Sequence, residues 1–220
     1  MATDMGADSA RLMRFVLEMR QAGITDPRAL GALEVTPRTY FTPAHLQGLA
    51  LDDVGLPLAH GQTMTKPSLV GRVVEALSLL PEHSVLEVGT GSGYQAAVIA
   101  SLADKVFTLD RWRGLVADAR VRFGTARLMR VFAHTADGRA GWAEEAPYDR
   151  IVVNAAVEEF PIALLDQLKP DGIIIAPLGD AAGQQLIRYR NGARENLGAV
   201  KFAAMEQGVG EDAPPAAAGG

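Results

Sequence analysis

Apolar residues in this chain follow two rhythms. Leu12, Phe15, Val16 and Met19 recur at helical spacing between Ser9, a ready N-cap, and Gly23, a stop, which predicts a first amphipathic helix. Asp26 and Pro27 open a second short helix over 26–34, and Pro37 and Pro43 within VTPRTYFTP then interrupt regular structure. The first sixty residues read as a helical and irregular cap.

From Lys66 the rhythm alternates. Helical PSLVGRVVEALSLL leads into SVLEVG at 84–89, a short apolar run that reads as a buried strand. Helical YQAAVIASLA, strand KVFTLD, helical GLVADARVRF, strands MRVFAH and DRIVVNAA, and helical PIALLDQL follow. GIIIAPLG, QQLIRYR and GAVKFAAME close the pattern as three more strands, the last two a hairpin around NGAREN. This alternation specifies an α/β fold: a doubly wound, mostly parallel sheet of seven strands with an antiparallel C-terminal hairpin. GVGEDAPPAAAGG has little to bury, so residues 208–220 are expected to form a disordered tail. The expected division is a cap and loop over 1–65, an α/β domain over 66–207, and that tail.

Composition narrows the function. At 220 residues and 48% hydrophobic the chain can bury one sizeable core. Its net charge of −5, with no basic run, argues against nucleic acid as a partner. Without cysteine it has no disulfide, no thiolate metal site and no cysteine nucleophile. His45, His83 and His134 share no ligand spacing, so no metal is expected. The acidic N-terminus lacks an apolar signal core, and no stretch approaches the ~18 apolar residues of a membrane span, so a soluble cytoplasmic protein is expected. Ser68 and Ser92 find no matching His and Asp for acyl transfer.

The chemistry concentrates in VLEVGTGSGYQ. Gly89, Gly91 and Gly93 lie between a strand and a helix, where a doubly wound sheet binds its ligand. Their spacing departs from the dinucleotide pattern, because Tyr94 stands where the third glycine belongs. Glu87, ahead of the loop, would repel a pyrophosphate but receive an ammonium group. S-adenosylmethionine carries that charge, and its carboxylate suits backbone N–H groups at a helix start. Asp110 closes the next strand, where an acid takes ribose hydroxyls, and Asp137 follows the third, where it would accept from an adenine amino group. Singly, each acid reads equally well as a helix cap or a solvated loop residue; jointly they point to an adenosyl ligand. Tyr94 either covers that ligand or joins the core, and Trp142 and Tyr148 read as packing residues beside the adenine loop.

These residues resemble the protein-L-isoaspartate O-methyltransferase family over roughly residues 9–206. LPLAHGQTMTKPSLVGRVVEAL resembles its G-Q-T-[IM]-S-x-P segment, VLEVGTGSGYQAAVIASLADKVFTLD its cofactor motif, and DGRAGWAEEAPYDRIVV the run before its fourth strand. LLDQLKPDGIIIAPLG is similar to the family helix and strand that follow. The resemblance implies a Rossmann-like methyltransferase fold and a monomer acting on isoaspartyl proteins. Methyl passes from S-adenosylmethionine to the isoaspartyl α-carboxylate, leaving S-adenosylhomocysteine, and the ester closes to a succinimide that reopens partly to aspartate. A carboxylate is already ionised near neutral pH, so positioning rather than a general base is the main requirement.

By the same resemblance Thr65 is the catalytic position, and Gln62, Thr63, Glu87, Gly89, Thr90, Gly91, Ser92, Gly93, Asp110, Arg111, Asp137 and Gly138 bind cofactor. His60, Gly61 and Asn154 face substrate. Three departures fall on the substrate side: Thr65 replaces the family serine, Asn154 replaces the threonine of Thr-Ala-Ala, and KFAAM at 201–205 replaces R-F-V-P. They leave two competing readings, a divergent relative acting on another carboxylate and a cofactor-binding protein without turnover.

Overall fold

The computed structural model describes residues 2–211, with side chains from Ser9 onward. Five parallel strands form the body of one sheet: β3 (Ser84–Val88), β4 (Lys105–Asp110), β5 (Val131–Thr135), β6 (Tyr148–Val153) and β7 (Leu168–Gly179). β8 (Gln184–Arg190) and β9 (Ala193–Val200) extend it antiparallel, in the order β5-β4-β3-β6-β7-β8-β9. The expected seven-stranded, mostly parallel sheet is thus observed. Its central strands read as continuous apolar runs because both faces are covered: Val85, Val152, Ile173 and Ile175 enter one core, and Leu86, Val88, Ile151, Val153 and Ile174 the other.

Helices α3 (Pro67–Leu77), α4 (Tyr94–Ala100) and α5 (Arg113–Thr125) pack on the first face, and the cap helices α1 (Ala2–Gln21) and α2 (Pro27–Val35) join the same core. Asp26 caps α2 by accepting from the Arg28 N–H at 2.7 Å. Between α2 and the two-stranded ribbon of β1 (Leu56–Pro57) and β2 (Thr63–Met64) the chain winds around Arg38, which is 1% exposed. Its guanidinium donates to the carbonyls of Ala50 and Asp52 at 3.1 Å each, Val54 at 2.9 Å and Thr65 at 3.3 Å. An irregular segment thereby finds partners for carbonyls that no regular element satisfies.

Four expectations change. Ser9 lies inside α1 rather than at its start. The hairpin turn is Asn191-Gly192 alone, both with positive φ, and Ala193–Asn196 belong to β9. Residues 201–206 are not a strand: Gln184 clamps the Phe202 backbone, accepting from its N–H at 2.7 Å and donating to its carbonyl at 3.0 Å, and only Ala204 bridges, to Ala156. Part of the tail expected to be disordered is docked, with the Gly208 N–H donating to Asp137 at 2.8 Å and the Gly210 N–H to the Arg111 carbonyl at 2.9 Å. Residues 212–220 lie outside the described residues.

Candidate active site

The glycine loop leaves β3 with Gly89, Gly91 and Gly93 at φ of 98°, 51° and 87°, a left-handed path that side chains disfavour. It is pinned to the next strand. Gly89 and Thr90 donate to the Leu109 carbonyl at 2.7 and 3.0 Å, and the Asp110 carboxylate accepts the Gly91 N–H at 2.8 Å and the Trp112 N–H at 3.0 Å. Burial pushes the Asp110 carboxyl up, against the lowering by these N–H groups. Ser92 accepts the Tyr94 N–H at 3.2 Å where α4 begins.

Glu87 is fully buried in the middle of the sheet. It accepts from Thr108 Oγ1 at 2.6 Å, Gln95 Nε2 at 3.1 Å and Asn154 Nδ2 at 3.2 Å, with Thr108 in turn 2.7 Å from the Thr90 hydroxyl. Desolvation outweighs these three donors and pushes the carboxyl up to about 8. Asn154 also donates to the Gly89 carbonyl at 3.1 Å and accepts from Gln95 at 3.0 Å. The second acceptor position of this group, Gln95 Oε1, is buried and has no partner. Cationic or N–H groups of a ligand fit this set of acceptors, so the donor chemistry suits an ammonium end of S-adenosylmethionine.

Opposite stands the 58–66 loop. His60 and Gly61 both take left-handed backbone, closing a tight turn in which the Leu58 N–H donates to the Gln62 carbonyl at 2.8 Å. The His60 ring stacks on Trp112 at 4.3 Å between centroids and 5° between planes. That contact ties the loop to the residue following Arg111. Thr65 is half-buried, its carbonyl held by Arg38.

Three cavities converge between these parts. One of about 70 Å³ runs along Glu87, the glycine loop and Gln95 to Thr63 and Thr65. A second, about 90 Å³, is bounded by Val88, Leu109, Asp110, Arg111, Trp112 and Gly138. The third, about 650 Å³, is a groove from Gly61 and Thr65 along α3 to residues 199–203. Gln62 and Asn154 line all three. A group handed from one ligand to another must pass this junction.

Most of the expected residues meet here, with three exceptions. Gly93 packs against the Phe123 ring and lines none of the cavities. His60 lines none of the three cavities, and neither does Asp137. Asp137 behaves as a cap, accepting the Arg139 N–H at 2.9 Å and the Gly208 N–H at 2.8 Å. Gly138 beside it has no room for a side chain, since a Cβ would lie 2.3 Å from Val88 Cγ1. Arg111 forms an ion pair with Glu206 and lies 5.1 Å over the Trp112 ring. Tyr94 is 2% exposed, packed on Phe41 at 5.9 Å, and also borders the first cavity. Trp142 stacks on His134 at 4.3 Å, and the Tyr148 hydroxyl donates to the Trp142 carbonyl at 2.6 Å, so both pack as expected. Gln95, Trp112, Arg38 and Phe202 were missed. Gln95 alone carried a signal, one helical position past Tyr94 at the mouth of the loop.

The family model described as protein-L-isoaspartate(D-aspartate) O-methyltransferase matches residues 10–206. A protein-L-isoaspartate O-methyltransferase of Xanthobacter autotrophicus is 51% identical over 183 residues, covering 83% of this chain and 84% of the relative. One from Azorhizobium caulinodans is 47% identical over 212 residues, covering 94% and 98%. Among solved structures, a protein-L-isoaspartate O-methyltransferase superposes with a TM-score of 0.81 at 23% identity, over 90% of this chain and 67% of that one. A Plasmodium falciparum structure under the same enzyme name, in complex with S-adenosyl-L-homocysteine, gives 0.74 at 20% identity over 88% and 97%. These two likenesses agree with the sheet described above, and the match of the family model across nearly the whole chain decides the assignment. The chain belongs to the protein-L-isoaspartate O-methyltransferase family.

Proposed function

We propose that this protein transfers a methyl group from S-adenosylmethionine to the α-carboxylate of L-isoaspartyl residues, starting their repair through a succinimide. The observation that carries the reading is the convergence of two ligand cavities and one open groove on Gln62 and Asn154. When bound, the cofactor supplies an electrophilic methyl group. The chain's own residues bind and align. Glu87 and Gln95 receive the ammonium group, the backbone of Ser92 in the glycine loop takes the cofactor carboxylate, and Thr90 and Gly91, whose N–H groups are held by β4, shape the wall beside it. Asp110 takes the ribose hydroxyls with the acceptor capacity left beside its two N–H bonds. Arg111 and Gly138 border the adenine, and Asp137 holds their loop at its rim. Gln62 and Thr63 close the cofactor side.

On the acceptor side, Thr65 donates its hydroxyl to the isoaspartyl carboxylate, and Gly61 offers backbone at the groove mouth. His60 acts through its stack on Trp112, keeping the loop seated. Asn154 spans both sides. No group need remove a proton, because the acceptor is already anionic near neutral pH. Catalysis then rests on holding carboxylate oxygen and methyl carbon in line and dry.

The reading goes with a monomer in the cytoplasm. Among the described residues no helix is long and apolar enough to cross a membrane.

Incubation with methyl-labelled cofactor and an isoaspartyl peptide beside its normal aspartyl twin tests the proposal. Base-labile label on the isoaspartyl peptide alone is expected; label on neither, with the cofactor bound, would refute it. Two substitutions divide the roles. Thr65→Ala should lower kcat about tenfold with S-adenosylhomocysteine affinity kept within about twofold, as removal of one neutral donor predicts. Asp110→Ala should instead weaken that affinity by about 10- to 100-fold, the range for hydrogen bonds to a charged group. Equal losses of affinity in both variants would dissolve this division.

A further inference from the structure

The acceptor groove carries a charge of one sign. Lys66, Arg72 and Lys201 line it, and no carboxylate does, although the whole chain has a net charge of −5. Lys66 shares its charge with Asp53 at 3.3 Å. Arg72 and Lys201 have no ion pair or hydrogen bond among the described residues, and Arg72 Nε is buried without a partner.

The nearest acids are otherwise placed. Glu75 and Glu195 border Arg72 on its far side, where Glu75 accepts from Thr25 and Asp26 and Glu195 pairs with Arg188 at 3.1 Å. Glu158, Glu159 and Asp180 line the next cavity, across the Val200–Phe202 segment. A guanidinium held partly out of water without an anion is a costly arrangement that an incoming carboxylate relieves. That carboxylate is not the reacting one. The reacting group must reach the Gln62 and Asn154 junction, and neither Arg72 nor Lys201 lines the two cofactor-side cavities.

We propose that the groove selects isoaspartyl acceptors bearing Asp or Glu beside the damaged residue, with Arg72 and Lys201 as the specificity-determining residues for that flanking carboxylate. This rests on the methyl-transfer reading and adds a substrate class to it. Flanking acids gain attraction both in encounter and in the bound state, whereas flanking lysines meet like charge.

The test uses three isoaspartyl hexapeptides, identical except for Glu, Gln or Lys at the flanking positions. Each is measured with the full chain for kcat/KM and, separately, for Kd in the presence of S-adenosylhomocysteine. At low salt the Glu peptide should show a kcat/KM about tenfold higher and a Kd about tenfold lower than the Lys peptide, and about 0.5 M salt should reduce both ratios to near two. The Arg72→Gln/Lys201→Gln double variant should bring the ratio close to one while leaving kcat on the Gln peptide within about twofold. Lys201→Gln alone, at an exposed position, should lower the ratio without any question of folding. Equal constants for the three peptides, or a preference that survives in the double variant, would overturn the proposal. A charge-ranked Kd without methyl transfer would uphold the selectivity and overturn the enzymatic reading instead.

Discussion

Replacing Glu87 by glutamine is expected to flatten part of the pH dependence of stability, and to make the cofactor-free protein more stable than the parent at pH 8. An ordinary glutamate ionises near 4.5, whereas this one is pushed up to about 8 by burial. Below 4.5 both folded and unfolded chains hold the proton, so the stabilising contribution is complete. As pH rises from about 4.5 to about 8 only the unfolded chain ionises, and stability falls across that window by an amount on the order of 5 kcal/mol at most. Above 8 the folded form ionises too and the loss stops.

Glutamine mimics the neutral acid and escapes this loss. The hydrogen-bond chain allows it, because the Thr108 hydroxyl can donate to a carboxylate or turn toward Thr90 and accept. Denaturant unfolding at pH 5 and pH 8 should therefore show the variant-minus-parent stability rising by a few kcal/mol between the two, and an unchanged difference would refute the assignment. Cofactor binding should move the opposite way. In the parent, S-adenosylhomocysteine affinity should climb with pH toward 8, as its ammonium group displaces a proton from Glu87; in the variant it should be weak and flat over that range.

Arg38→Met should cost about 3–5 kcal/mol of stability, the scale for removing one partner from a buried charged set. Methionine fills much of the volume but leaves the carbonyls of Ala50, Asp52, Val54 and Thr65 without their donor. Arg38→Lys, which keeps a charge and three donors without the planar fork, should recover part of the loss. Because one of the four carbonyls belongs to Thr65, kcat of both variants measured well below their melting temperatures should fall further than cofactor affinity. A loss under about 1 kcal/mol in the methionine variant would show that water replaces the guanidinium.

The sheet and its glycine loop were legible because their signals are local. Continuous apolar runs mark buried parallel strands, and Asn-Gly marks a hairpin turn wherever it falls. Glu87 and Asp110 were equally readable, each being the acid at the end of a recognisable strand. What stayed hidden depends on partners far along the chain. Asp137 reads as a loop acid, and nothing beside it announces that Gly208, 71 positions away, donates to it. Arg38 looks like surface charge because its partners are backbone carbonyls, which no side chain announces. KFAAM has a strand's composition, yet the Gln184 side chain occupies the backbone groups of Phe202 that pairing would use.

The strand order also bears on how the molecule assembles itself. β7, β8 and β9 are sequence neighbours that pair by short turns, so they lose little chain entropy on meeting. Joining β3 to β6 instead encloses the whole of residues 89–147, which makes it a slow, non-local step. Glu87 pairs with Val152 in that seam, and Asn154 emerges from it. The junction lined by Gln62 and Asn154 therefore depends on a pairing between segments far apart along the chain, unlike the C-terminal meander, whose contacts are local.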